Sequence, residues 1–305
     1  MMMALHDFTA AGVMNICCSR HQQTGMASTR QRPNSMPELP EVESVRQCLA
    51  QARPSLLGKA VQQVQILHDR VVAGDLKQLG QILTGACCEQ IQRHGKYLFF
   101  GFRSHQQADQ IWLAVHLRMT GRLYLVPRQE PLPRHARLML HLDQELTLRF
   151  DDPRGFGRVW LVDDPARVTA DLGPDALTLG RDLFLERLHR VKRQLKPLLL
   201  DQSFVAGVGN IYADETLFRA HLHPGRRSDS LTSAEADHLY SALHQVITLA
   251  VQLKGANIDG VFEAGQFPVA VYGRQGLPCQ VCGVLISKIR VGQRGTHFCP
   301  VCQCC

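Results

Sequence analysis

The sequence predicts an α+β protein of several domains: one helix leading into a β-sandwich, then a helical domain, then a small cysteine-bound finger. Three observations predict this. Pro37 and Pro40 stand ahead of an apolar series at Val42, Val45, Cys48, Leu49 and Ala52. That spacing is helical, and proline suits a first helical turn, where the missing N–H costs nothing. Seven short runs between residues 61 and 162 alternate or are rich in β-formers, and many short strands joined by turns build a sandwich or barrel-like domain. Finally, Cys279-Gln280-Val281-Cys282 and Cys299-Pro300-Val301-Cys302 lie sixteen residues apart, the pattern of a tetrahedral four-thiolate zinc site.

Composition narrows the partners. A length of 305 residues with 45% hydrophobic and 20% charged residues fits a globular protein with ample core. A net charge of +7 and a pI near 8.9 point to an anionic partner, most simply nucleic acid. No run approaches the roughly 18 apolar residues of a membrane span, so no membrane partner is expected. The eleven cysteines include the adjacent pairs Cys17-Cys18, Cys87-Cys88 and Cys304-Cys305, which bridge poorly to each other. With no apolar signal-peptide core, this predicts a reducing, cytoplasmic setting with metal-bound thiolates.

Residues 1–35 have no clear period and carry Arg20, Arg30 and Arg32 against one acid, Asp7. Transit peptides are basic and acid-poor in this way. The missing amphipathic pattern favours instead upstream sequence read from a mis-assigned start. The choice is chemical, because it decides whether Pro37 carries a free amine.

Residues 36–165 form the expected β-sandwich domain. It opens with Met36-Pro37-Glu38-Leu39-Pro40-Glu41-Val42-Glu43, which places Glu38 and Glu41 near the positive end of the helix. A methionine before proline is trimmed, leaving Pro37 as a secondary amine that gives a charged iminium directly with a carbonyl carbon. Such an α-amino group titrates near roughly pH 8, lowered by the adjoining helix terminus, and Glu38 beside it can shuttle protons. Strands are expected over residues 61–67, 97–102, 111–117, 122–126, 136–142, 146–150 and 158–162. Among them, Ala136, Leu138, Leu140 and Leu142 alternate most clearly against Arg137, Met139 and His141.

Three further motifs stand out there. Arg93-His94-Gly95-Lys96-Tyr97-Leu98 puts a lysine at a strand start, by itself an ordinary feature. His116-Leu117-Arg118-Met119-Thr120-Gly121 puts a methionine before a glycine turn, where core packing is the usual reading. Asp151-Asp152-Pro153-Arg154-Gly155-Phe156-Gly157 is a turn presenting Arg154 and Phe156 at a tip. An exposed aromatic there calls for a reason.

Residues 166–262 read as a helical domain after the linker Leu172-Gly173-Pro174-Asp175-Ala176. One helix shows Phe184, Leu185, Leu188 and Val191 on a face and is expected to end near Lys196-Pro197. In the string 201–215, Gly207 and Gly209 let backbone N–H groups approach a phosphate, with a helix starting at about Asn210. Thr232-Ser233-Ala234-Glu235 is a capping box. The stripe Leu239, Ala242, Leu243, Val246, Ile247, Ala250 and Leu253 behind it is packing. Residues 263–305 are the finger. Its four cysteines leave no open coordination position, so one structural zinc is expected, with Cys304 and Cys305 as bystanders.

The opening octet, the Arg154–Phe156 turn, the 201–215 string and the cysteine pairs occur in an order that resembles formamidopyrimidine-DNA glycosylases, bacterial repair enzymes that remove oxidised purines. The resemblance runs from Met36 to about Gln303. It implies a helix–two-turn–helix in the helical domain and a zinc-ribbon-like finger. It further implies a DNA glycosylase with abasic-site lyase activity, working by β- and δ-elimination through a Schiff base on Pro37, with Glu38 as proton shuttle. By the same resemblance, Lys96 and Arg294 serve the catalytic centre as phosphate clamps beside the lesion, and His116, Asn210 and Tyr272 also touch phosphate. Met119 fills the hole of the extruded base, Arg154 pairs with the orphaned opposite base, and Phe156 wedges the stack. Glu41 anchors the opening helix or the damaged nucleotide. The implied partner is duplex DNA with oxidised bases or abasic sites, bound by a monomer in the bacterial cytoplasm at the nucleoid; an organellar setting follows only if residues 1–35 are a transit peptide. The segment after Gly255 is shorter than the family often has, which bears on lesion preference. Two alternatives remain at this level: the sister branch acting on oxidised pyrimidines, and a zinc-stabilised DNA-binding protein without catalysis if the extension stays attached.

Overall fold

The computed structural model describes residues 36–104, 109–257 and 265–304. The expected extension, residues 258–264 of the short segment after Gly255, and Cys305 lie outside the described residues.

Helix α1 (Leu39–Gln51) has Pro40 in its first turn, as expected. It joins two cores. Leu39 belongs to the apolar cluster of the helical domain, whereas Val42, Val45 and Leu49 belong to that of the β-domain. The chain then forms β1 (Val61–Ile66), α2 (Leu76–Leu83), β2 (Cys87–His94), β3 (Tyr97–Arg103), β4 (Ile111–His116), β5 (Arg122–Pro127), β6 (Ala136–Leu142), β7 (Leu146–Asp151) and β8 (Arg158–Val162). Two antiparallel four-stranded sheets result, in the orders β1-β6-β7-β5 and β2-β3-β4-β8. Phe100, Phe102, Leu113 and Val115 of one sheet share a core with Leu138, Leu140, Leu148 and Phe150 of the other. Burying each such side chain contributes about 1.5–3 kcal/mol, and this sandwich interior is what holds the strands in register.

All seven expected strands are present, within a residue or so at each end. A further strand and a further α-helix of this domain, β2 and α2, were not expected. β2 reads Cys-Cys-Glu-Gln-Ile-Gln-Arg-His and lies at a sheet edge, where only Cys88 and Ile91 are buried. An edge strand needs little apolar surface, so its sequence looks like loop. α2 is only eight residues long, capped by Asp75, which accepts the N–H of Lys77 at 2.8 Å.

The helical part comprises α3 (Ala166–Thr169), α4 (Arg181–His189), α5 (Leu195–Leu200), α6 (Asn210–Arg219) and α7 (Ser233–Gln252). The helix expected to run to Lys196-Pro197 ends at His189 instead, and those two residues lie in the first turn of the separate helix α5. Pro197 is the third residue of α5, where no intrahelical N–H bond is needed, so a proline taken as a stop is a start. α6 begins at Asn210 as expected, and the Thr232–Glu235 capping box holds on α7.

The two domains are tied by charge. Arg93 is buried between Glu43 (2.9 Å) and Asp175 (2.5 Å), and Asp175 also accepts the Gly95 N–H at 2.7 Å. The finger is a hairpin of β9 (Ser287–Val291) and β10 (Arg294–Phe298). Its small core of Val271, Cys279, Ile286 and Cys299 packs on Phe218 of α6.

Candidate active site

Pro37, Glu38 and Glu41 lie buried where the sandwich meets the helical domain. The start of α6 supplies the cradle. Glu38 accepts the N–H of Gly209 at 2.7 Å, of Ile211 at 2.8 Å and of Tyr212 at 3.3 Å. The helix N-terminus and its oriented amides thus hold a carboxylate. The glycines expected to let a phosphate approach serve this contact instead: a Cβ on Gly209 would lie 2.3 Å from Glu38 Cδ, and one on Gly207 2.5 Å from Leu39 Cδ1. Gly207 also has φ +103° and takes the Leu39 N–H on its carbonyl at 3.1 Å.

Glu41 locks Glu38 from behind. It accepts the Glu38 N–H at 2.9 Å, the Tyr212 hydroxyl at 2.5 Å and the Ala256 N–H at 2.8 Å. Gly255 has no room for a side chain, because a Cβ there would sit 2.4 Å from Glu41 Oε1. Burial, and then the neighbouring Glu38, push Glu41 up to about 7. Burial likewise raises Glu38, partly offset by the Lys96 charge and the three backbone donors. Lys96, buried, donates to the Val208 carbonyl at 3.0 Å. Its pKa is lowered by burial against the opposing pull of Glu38 and Glu41. Burial thus raises a carboxyl and lowers an ammonium in one site, the shifts expected where protons are moved.

The finger reaches the same cradle. Lys196 and Asp214 form a fully buried pair at 2.6 Å. Lys196 also donates to the Gly295 carbonyl at 3.0 Å, and Asp214 accepts the His297 N–H at 2.9 Å. The Asn210 side-chain amide donates to the same Gly295 carbonyl at 3.1 Å. This seats Arg294 at the mouth of the site with its side chain exposed, and its charge contributes to lowering Lys96. Tyr272 is half-buried, its ring edge-on to His297 at 5.1 Å, and its N–H donates to Glu215 at 2.8 Å.

Met119, Arg154 and Phe156 lie on turns at one end of the sandwich, and His116, paired with Tyr97, stands between them and Lys96. His116 is buried edge-on to Tyr97 at 4.6 Å. Its Nδ1 accepts the Arg118 N–H at 2.9 Å, so the neutral ring keeps its proton on Nε2. Burial, then the charges of Arg118 and Lys96, bring it down to about 3. Met119 is half-exposed and outside the sandwich core. Phe156 is 47% exposed, and the Arg154 guanidinium stacks over its ring at 4.9 Å. An aromatic and a guanidinium stacked on an exposed turn can enter a base stack.

Sequence reasoning missed Tyr212, Gly255, Thr120, Asp152, Lys196, Asp214 and Glu215 as parts of this site. Only Asp152 carried a local signal, since Asp before Pro-Arg-Gly reads as a side-chain-closed turn. The others meet their partners across long stretches of chain.

The four expected metal ligands converge. The sulfurs of Cys279, Cys282, Cys299 and Cys302 all lie within 4.8 Å of one another, with Cys279–Cys302 at 3.9 Å and Cys282–Cys299 at 3.4 Å. A tetrahedron with metal–sulfur arms near 2.3 Å has edges of about 3.8 Å, so the donor set fits zinc. Cys304 is exposed and outside this cluster. Among the described residues, no helix is long and apolar enough to cross a membrane.

Known proteins show the same layout. The family model for the formamidopyrimidine-DNA glycosylase N-terminal domain matches residues 36–159, that for its H2TH domain residues 172–260, and that for the zinc finger found in FPG and IleRS residues 276–303. The formamidopyrimidine-DNA glycosylase of Herpetosiphon aurantiacus is 40% identical over 280 residues, covering 88% of this chain and all of the relative. That of Symbiobacterium thermophilum is also 40% identical, covering 88% and 89%. Among solved structures, the Lactococcus lactis Fpg in complex with DNA containing an abasic site is 33% identical, with a TM-score of 0.80 over 88% of this chain and 100% of that one. The same enzyme with DNA containing N7-benzyl-Fapy-dG is 34% identical, with a TM-score of 0.80 over the same shares. With three consecutive family models and full-length relatives at this identity, the chain belongs to the formamidopyrimidine-DNA glycosylase family.

Proposed function

We propose that the protein is a base-excision repair enzyme that removes oxidised purines from duplex DNA and then cuts the strand at the resulting abasic site. The observation that carries this reading is Glu38, buried beside Pro37 and fixed by three backbone donors, with a pKa raised toward that of a proton donor. The active chain begins at Pro37. In support, the family match starts at residue 36, and 88% of this chain accounts for the whole length of a relative. With Met36 removed, the Pro37 amine attacks C1′ of an everted nucleotide while Glu38 protonates the sugar ring oxygen and the base departs. The resulting iminium acidifies the C2′ hydrogen, and β- and δ-elimination follow, with Glu38 moving the protons. Eversion is required because C1′ is shielded inside a duplex.

Lys96, Asn210, Tyr272 and Arg294 clamp phosphates around the lesion, and His116 donates its Nε2–H to another. These contacts position the strand and carry no sequence information. Met119, Arg154 and Phe156 occupy and prop open the gap. Cys279, Cys282, Cys299 and Cys302 hold one zinc, which supplies folding energy to a finger too small to have a large core and so keeps Arg294 in place. The domains are residues 36–165, 166–262 and 263–305, and the protein acts as a monomer at the nucleoid.

The test is excision from matched duplexes by the chain expressed from Met36. Release of 8-oxoguanine with phosphates left on both sides of the gap supports the reading. Preferred release of thymine glycol moves the protein to the oxidised-pyrimidine branch.

A further inference from the structure

The Met119 turn follows β4 and the Arg154–Phe156 tip follows β7, in opposite sheets of the sandwich. One buried carboxylate joins them. Asp152 has no exposed surface. It accepts the Thr120 hydroxyl, the Gly157 N–H at 2.7 Å and the Arg154 N–H at 3.2 Å, and the Arg154 N–H also reaches Thr120 Oγ1 at 3.2 Å. Both turns wrap the same ring: a Cβ on Gly157 would lie 2.3 Å from Phe150 Cζ, and one on Gly121 2.9 Å from Phe150 Cε2. Arginines stiffen the outer side. Arg137 donates to the carbonyl of Asp152 at 2.8 Å, and Arg158 to those of Gly155 and Gly157 at 3.0 and 2.7 Å.

We infer that Thr120 and Asp152 are positioning residues that fuse the Met119 turn and the Arg154–Phe156 tip into one rigid insertion part. The plug and the wedge then enter the duplex together, at a spacing set before DNA arrives. Two independent turns would each have to be ordered during insertion, and that cost would subtract from the little energy available to unstack a pair. The bridge is well suited to the task because one buried side chain gathers donors from both turns. The inference rests on the proposed role of Met119, Arg154 and Phe156, and adds that they act as a unit held by residues that touch no DNA.

The experiment reads insertion without chemistry. The full chain is mixed with a duplex carrying a stable abasic-site analogue beside 2-aminopurine, whose fluorescence rises when it is unstacked. A second duplex has the 2-aminopurine already bulged out. Thr120→Val, which keeps shape and loses the hydroxyl, should slow the fluorescence rise on the stacked duplex about tenfold, the worth of one hydrogen bond to a charged group. Thr120→Ser should keep the wild-type rate, and all three proteins should bind the bulged duplex equally. Asp152→Asn, which keeps the volume, should slow insertion in the same selective way and gives a second reading if Thr120→Val melts early. A wild-type insertion rate in Thr120→Val, or equal weakening on both duplexes, overturns the inference. No fluorescence rise with the wild type overturns the proposed insertion role itself, a distinct failure.

Discussion

Two regions of the molecule are built in opposite ways. The cradle around Pro37 and Glu38 is buried and assembled from remote pieces: the donors to Glu38 lie 171 to 174 residues along the chain. The insertion tip is exposed and made of two local turns that share one buried carboxylate. On the proposed function, the difference follows from the task. Proton transfer needs groups whose pKa values are shifted by burial, and the domain junction buries Glu38, Glu41 and Lys96 together. Wedging needs side chains in solvent, so rigidity has to come from beneath them.

This contrast can be broken by experiment. The largest effect is expected in the cradle. Glu38→Gln places an NH2 group against backbone N–H donors and removes the acid, so single-turnover base release should fall by about 10²–10⁴-fold while affinity for an abasic-site duplex changes little. An equal loss of affinity would mean that Glu38 supports the domain junction rather than the chemistry. Next comes the tip. Phe156→Ala removes the proposed wedge, which would offset a few kcal/mol of unstacking, so excision from a matched duplex should drop about ten- to a hundredfold, and much less when the opposite nucleotide is missing. Uniform loss on both substrates would erase the distinction between the regions.

The smallest effect concerns Glu41 and is read in stability. Its carboxyl is raised from 4.5 to about 7, so the folded protein keeps a proton that the unfolded chain has released. The folded state binds more protons between those values, so this group's contribution is complete below about pH 4.5, is lost as pH rises toward about 7, and stays flat above. Glu38 shifts in the same direction and retains part of the slope. Urea unfolding of the wild type should therefore show a gain between pH 8 and pH 5 that Glu41→Gln reduces. An identical gain in the variant would show that Glu41 is ionised throughout.

The same contrast explains what the sequence made legible. The tip could be read because it is local: Asp152-Pro153-Arg154-Gly155 closes a turn, and Phe156 has no core to enter. The strands could be read because one sheet face is buried, as in Ala136–Leu142, although Met139 is buried too, on the other face. β2 could not, because an edge strand buries only two side chains. Pro197 misled because proline is tolerated at a helix start as well as past a helix end. In the cradle, the residue types at 37, 38 and 41 were readable, and their partners were not. No spacing announces that Tyr212, Gly255 and Ala256 meet Glu41, or that Gly209 is a glycine because Glu38 stands where its side chain would be.

The most direct measurement is borohydride trapping on abasic-site DNA by two forms of the protein, one whose mass shows it to begin at Pro37 and one that retains all 305 residues. The account predicts a covalent protein–DNA band from the first, abolished by Pro37→Gly, and tight binding without a band from the second. No band from the chain that begins at Pro37, or an equal band from the chain that keeps its extension, would contradict it.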